Sequence, residues 1–196
     1  MTNVRSYTAD QLLERVADTA KGFNHYPADY WLLGIRSNED EYNKFDDKFY
    51  LFYGIEFKKV YSGTTNTGAN GLKNFETYNK DGVAILEADR IVYGSHRRGI
   101  SKGRPVYRQD KPFPYYRDND KDNKSEELGQ VINDEIIHAH IHDVKMGNVD
   151  ADKEFINGWS LACQVFNNGE HWHKFFNVLT KEQEYITYCL LNEFEV

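Results

Sequence analysis

The chain has 196 residues, a formal net charge of −7 and 40% hydrophobic residues, enough for one domain with a buried core. The acidic balance argues against a nucleic-acid surface, because phosphate binding needs a basic footprint. Two cysteines, Cys163 and Cys189, make no disulfide framework, and 14 Tyr and 12 Phe against 4 Pro favour strands over a helical bundle.

Residues Thr8 to Lys21 read as an opening helix, with Thr8 as N-cap, Gln11 at the third helical position, Leu12, Leu13, Val16 and Ala20 on one face, and Gly22 as the stop. Met1 to Gly22 carries Asp10, Glu14, Arg15, Asp18 and Lys21 and no apolar core, so no secretory signal is expected. No later run approaches the ~18 apolar residues of a membrane span. The expectation is a soluble chain made in the cytoplasm, which reaches a virion or the cell wall by other means. After Pro27 the texture becomes short apolar runs: a strand at Tyr30–Arg36, a charged loop to Asp47, and a hairpin of Lys48–Tyr53 and Glu56–Tyr61 turning at Gly54. The polar segment 62–71 is rich in Gly but lacks the Gly-Lys-Ser/Thr ending of a phosphate loop. Strands follow at Gly82–Leu86 and Arg90–Gly94, then a basic loop with Arg97, Arg98, Lys102 and Arg104 that could take an anionic group. Glu135–His142 alternates like a strand, 170–179 suits a short helix, and Tyr185–Leu191 a last strand. The result is a mainly β fold with a few helices (α+β), divided into an N-terminal helical segment at 1–29 and a second unit at 30–196.

Three constellations carry potential chemistry. Cys163 lies in Gly158-Trp159-Ser160-Leu161-Ala162-Cys163-Gln164-Val165, where small residues leave the backbone open for an oxyanion; a nucleophilic thiol also needs a base nearby. A lone Cys among apolar neighbours is more commonly a buried small hydrophobe, as Cys189 is expected to be. On a strand, His138, His140 and His142 would share one face. They could then supply a base to Cys163, ligate zinc with His96, His171, His173 or Asp143, or line a half-buried strand. The run 118–127 spaces carboxylates as a calcium loop does, with Asp118, Asp120, Asp122 and Glu127 as ligands, but Gly129 stands where an EF-hand needs its last Glu. A solvated acidic turn is the plainer reading.

The order of these features resembles the catalytic domain of the L,D-transpeptidase family. That family has a strand-borne His, then a Ser/Thr-x-Gly-Cys motif, a short helix and a closing strand. Here His142 precedes Ser160 by 18 residues, and Val60-Tyr61-Ser62-Gly63 resembles the family's upstream Ser-x-Gly strand. The motif Gly-Trp-Ser-x-x-Cys-Gln-Val looks closest to a divergent branch in phages and gut bacteria. Ala162 replaces the usual Gly, and Gln164-Val165 the usual pair ending in Arg or Asn. The resemblance implies a β-sandwich or barrel, and acyl transfer on peptidoglycan stem peptides with Cys163 as nucleophile and His142 as base, His140 being the alternative. It implies Ser160 as the residue that orients His142 or shapes the turn. His96, Trp159 and Gln164 would then face substrate, and the thiol should approach an imidazole within ~4 Å. No cofactor would be required, calcium at 118–127 being optional. The rivals are a non-catalytic relative of the same fold, serving as a structural or wall-binding component of a phage particle beside other phage-particle proteins, and a zinc hydrolase.

Overall fold

The computed structural model describes residues 5–38, 42–145 and 149–196. The first four residues of the N-terminal segment and the middle of the charged loop read at 37–47 lie outside it. Helix α1 (Ala9–Thr19) starts where its capping box stands. Thr8 Oγ1 accepts the Gln11 N–H and Gln11 Oε1 accepts the Thr8 N–H, a cap that contributes about 1 kcal/mol. Leu12 and Val16 are buried on its inner face.

Ten strands follow: β1 (Tyr30–Arg36), β2 (Asp47–Tyr53), β3 (Glu56–Thr64), β4 (Val83–Leu86), β5 (Arg90–Ser101), β6 (Arg104–Gln109), β7 (Tyr115–Asp118), β8 (Ile141–Asp143), β9 (Gln164–Phe166) and β10 (Tyr185–Asn192). Eight close a barrel in the order β1-β10-β5-β6-β8-β9-β3-β2, and β4 pairs with β7 as a separate ribbon. The pairs β1/β10 and β8/β9 are parallel and the other barrel pairs antiparallel. Two short helices complete the fold, α2 (Ala69–Asn74) and α3 (Gly169–His173), the latter continuing as a π-helical turn over Lys174–Leu179. The architecture is mainly β with an N-terminal helix, as the sequence patterning predicts.

Strand alternation divides the core in two. Leu32, Phe49, Leu51, Tyr107, Ile141, Phe166, Tyr188 and Leu190 fill one cluster with Trp172 and Phe175 from the C-terminal helical turns. Trp31, Leu33, Ile35, Tyr50, Phe52, Cys189 and Leu191 point the other way and are covered by Leu12 and Val16 of α1. Burial on both faces is why β1 and β10 read as continuous apolar runs rather than alternating ones. The N-terminal segment is thus packed onto the barrel wall. Two glycines permit the close approaches inside. A Cβ on Gly34 would meet the Tyr188 hydroxyl at 2.3 Å, and one on Gly63 would meet the Phe49 ring at 2.3 Å and the Val165 carbonyl oxygen at 2.5 Å. Because the second obstacle is backbone, Gly63→Ala should destabilise the protein by about 3 kcal/mol, read as a drop in urea midpoint. An unchanged midpoint would show that β3 and β9 can part freely.

Several local readings change. The basic segment is not a loop: β5 runs unbroken to Ser101 and turns into β6 through Lys102 and Gly103, both with positive φ, the two-residue turn that matches strand twist. The strand read at 135–142 survives only as β8. His138 has φ 61°, so the alternation that would put three histidines on one face breaks there. Gln109 supplies the reason: its Oε1 accepts the N–H groups of Ile137 and Ala139, standing in for a strand partner.

Candidate active site

Parallel strands β8 and β9 need a connection that returns from the end of one to the start of the other, and Trp159 and Ser160 lie on it shortly before β9. Register then places the chemistry. Ile141 pairs with Gln164 and His142 with Val165, and the Gln164 N–H donates to the His140 carbonyl at 2.8 Å. Ile141 and Gln164 face the barrel interior, so His140, His142 and Cys163 share the opposite face. There they line a cleft of about 690 Å³ with Trp159, Arg104 and Arg108.

Cys163 is half-buried, and burial pushes its thiol up to about 11. Its Sγ donates to the His138 carbonyl oxygen at 3.7 Å, and among the described residues it forms no hydrogen bond to an imidazole. His142 is 6% exposed, and its Nδ1 lies 2.8 Å from the Asp143 carbonyl oxygen. Burial, reinforced by Arg104, His140 and Lys102, holds His142 down to about 4, opposed by the Asp143 hydrogen bond. Burial with His138, Arg108 and Lys102 does the same to His140. At pH 7 the resting pair is therefore neutral thiol and neutral imidazole.

The turn before β9 is held by two side chains. Ser160 Oγ donates to the Cys163 carbonyl at 2.8 Å, and Gln164 Nε2 to the Ala162 carbonyl at 2.9 Å. Of the two roles expected for Ser160, it fills the turn-shaping one. Among the described residues nothing accepts a hydrogen bond from the backbone N–H groups of Leu161, Ala162 or Cys163. Three amides are left for an oxyanion. Gln164 itself is fully buried, its Oε1 accepting the Tyr188 hydroxyl, so it supports the site from behind and does not face the cleft. His96 is also fully buried, between Ser95 Oγ and the Ala139 carbonyl. It braces the His138–His140 segment and does not line the cleft. Trp159 does line it, with the Arg104 guanidinium 5.5 Å from its ring centre.

Two features were missed from sequence. Arg108 joins Lys102 and Arg104 at the cleft once the basic segment is a hairpin, and Arg104 Nη1 is buried without a hydrogen-bond partner among the described residues. Gln109 fixes the histidine segment through the two amides named above, and its own N–H donates to His140 Nδ1 at 3.1 Å. Gln109→Ala strands those amides. It should cost about 2 kcal/mol and raise hydrogen exchange at Ile137 and Ala139; unchanged exchange there would remove the bracing role.

The other expectations resolve differently. Asp118 accepts the Glu126 N–H, while Glu127 is drawn away into an ion pair with Arg36 at 3.0 Å and also accepts the Ala88 N–H. The carboxylates that converge are Asp120, Asp122 and Glu126. Asp120 and Asp122 each accept the N–H two residues on, so their alternate spacing is that of successive Asx turns. Among the described residues that acidic trio is the one group of three ligand side chains with atoms within 4.8 Å of one another, and no histidine belongs to it. No helix among the described residues is long and apolar enough to cross a membrane. No family model, curated protein or solved structure matches this chain.

Proposed function

We propose that the protein performs cysteine-dependent acyl transfer or hydrolysis on peptidoglycan stem peptides, in the manner of an L,D-transpeptidase or L,D-carboxypeptidase. The observation that carries this reading is the cleft face shared by Cys163 and His142, beside three unused amides and below the cations Lys102, Arg104 and Arg108. The His142 ring takes the thiol proton as sulfur attacks the peptide carbonyl. The amides of Leu161 to Cys163 hold the oxyanion. The cations receive a carboxylate of the stem peptide, which offsets the missing Arg after Cys163. The acyl-enzyme then passes to an amine or to water.

A second reading, a wall-binding component of a phage particle, is favoured by the thiol's bond to the His138 carbonyl and its high pKa. Incubation with purified peptidoglycan fragments, followed by mass spectrometry, separates the two. New crosslinked or trimmed products that vanish in Cys163→Ser establish catalysis. Retention of fragments without any product establishes the binding role instead.

A further inference from the structure

His140 and His142 stand two residues apart, and their Nδ1 atoms meet opposite partners. At His142 the partner is the Asp143 carbonyl oxygen. A carbonyl only accepts, so Nδ1 carries the proton and Nε2 keeps its lone pair. At His140 the partner is the backbone N–H of Gln109. An amide only donates, so Nδ1 is the lone-pair nitrogen and the neutral ring carries its proton on Nε2. Burial holds both rings down to about 4, so each remains in its neutral tautomer at pH 7. His140 is also the residue beside Cys163 across the strand pair, its carbonyl held by the Gln164 N–H, and both side chains line the cleft.

We propose that His140 is a hydrogen-bond donor to the reacting carbonyl, its Nε2–H completing the oxyanion site begun by the amides of Leu161 to Cys163, while His142 alone acts as base. In the first step the sulfur–carbon bond forms, the carbonyl π pair moves to oxygen, and the thiol proton moves to His142 Nε2. In the second the carbon–nitrogen bond breaks, the oxygen pair re-forms the carbonyl, and that proton leaves with the amine. His140 keeps its proton throughout. A sheet that presents residues i and i+2 on one face thus gives one donor and one acceptor, because the two rings find different backbone groups.

The catalytic role rests on the acyl-transfer reading; the tautomers do not. They are read directly from long-range proton–nitrogen correlations of protein labelled with ¹⁵N-histidine, assigned with His140→Gln and His142→Gln. Expected are an Nε2–H ring at position 140 and an Nδ1–H ring at 142. The same tautomer at both positions overturns the proposal even in an active enzyme. On peptidoglycan fragments, His140→Ala should lose about 100-fold in kcat with little change in KM. His140→Gln, which keeps an N–H donor, should recover at least about tenfold of that loss. Equal loss in both variants removes the donor role. A wild-type protein that turns over no fragment removes the acyl-transfer reading, and the catalytic role of His140 with it, whatever the tautomers show.

Discussion

Replacing His142 with alanine is expected to lower turnover on stem peptides at pH 7 by about 10³-fold. The reason lies in the thiol as much as in the base. With Cys163 pushed up to about 11, roughly one molecule in 10⁴ carries a thiolate at pH 7, so attack depends on a group that removes the proton as the bond forms. His142 is suited to this because it is neutral, its Nδ1–H is held by the Asp143 carbonyl and its Nε2 is unprotonated. The same argument predicts a distinctive rescue. In His142→Ala each unit of rising pH should increase the rate about tenfold, until the thiol itself ionises, whereas the wild type should gain little. Turnover of the variant within fivefold of wild type at pH 7, or a flat pH profile, would take the base role away. The thiol should also alkylate slowly at neutral pH, contrary to what a bare cysteine–histidine motif suggests.

Acidification is expected to destabilise the fold sharply between pH 6.5 and 4. His96 and His142 are buried and held down to about 4 from an ordinary 6.5. Over that window the unfolded chain binds protons that the folded one does not. Their contribution is therefore fully present above pH 6.5 and lost as pH falls toward 4. Each group loses about 3 kcal/mol, and His140 acts in the same direction. Asp47 opposes them. Burial raises it from 3.8 to about 6, against hydrogen bonds from the Ser37 and Thr65 N–H groups and the Thr65 hydroxyl. Its proton stays on the folded form first, which restores about 3 kcal/mol as pH falls from 6 to 3.8. The net loss of about 3 kcal/mol or more is a large part of a typical domain's stability. Urea titrations at several pH values measure it directly. His96→Gln should flatten the dependence, and stability that rises toward pH 4 would contradict the assignment.

What the sequence made legible follows physical lines. The capping box at Thr8 and Gln11 is local chemistry, and it forms as read. The strands β1 and β10 are apolar on both faces because a helix covers one of them, and that pattern survives without tertiary knowledge. The region before β8 was misread because alternation over Glu135–His142 is only a pattern. A side chain 26 residues earlier, Gln109, takes the amides that a neighbouring strand would have taken. Gln164 shows the opposite case, since its position was deducible. If Cys163 faces the cleft, the next strand residue must face the interior, where Tyr188 meets it. His96 turned inward for a reason no motif carries, the need of the Ala139 carbonyl for a donor.

The place of β10 has a consequence for synthesis. Strand β10 is inserted between the first and the fifth, so a ribosome must pass residue 185 before the cylinder can shut. Until then β1 and β5 present unpaired edges, which invite association with other chains. The hydroxyl of Tyr188, which holds Gln164 beneath the Cys163 turn, arrives with that same strand. A nascent chain interrupted before residue 185 would thus lack both its closure and the brace behind its thiol, and completion of the barrel and completion of the cleft become one event.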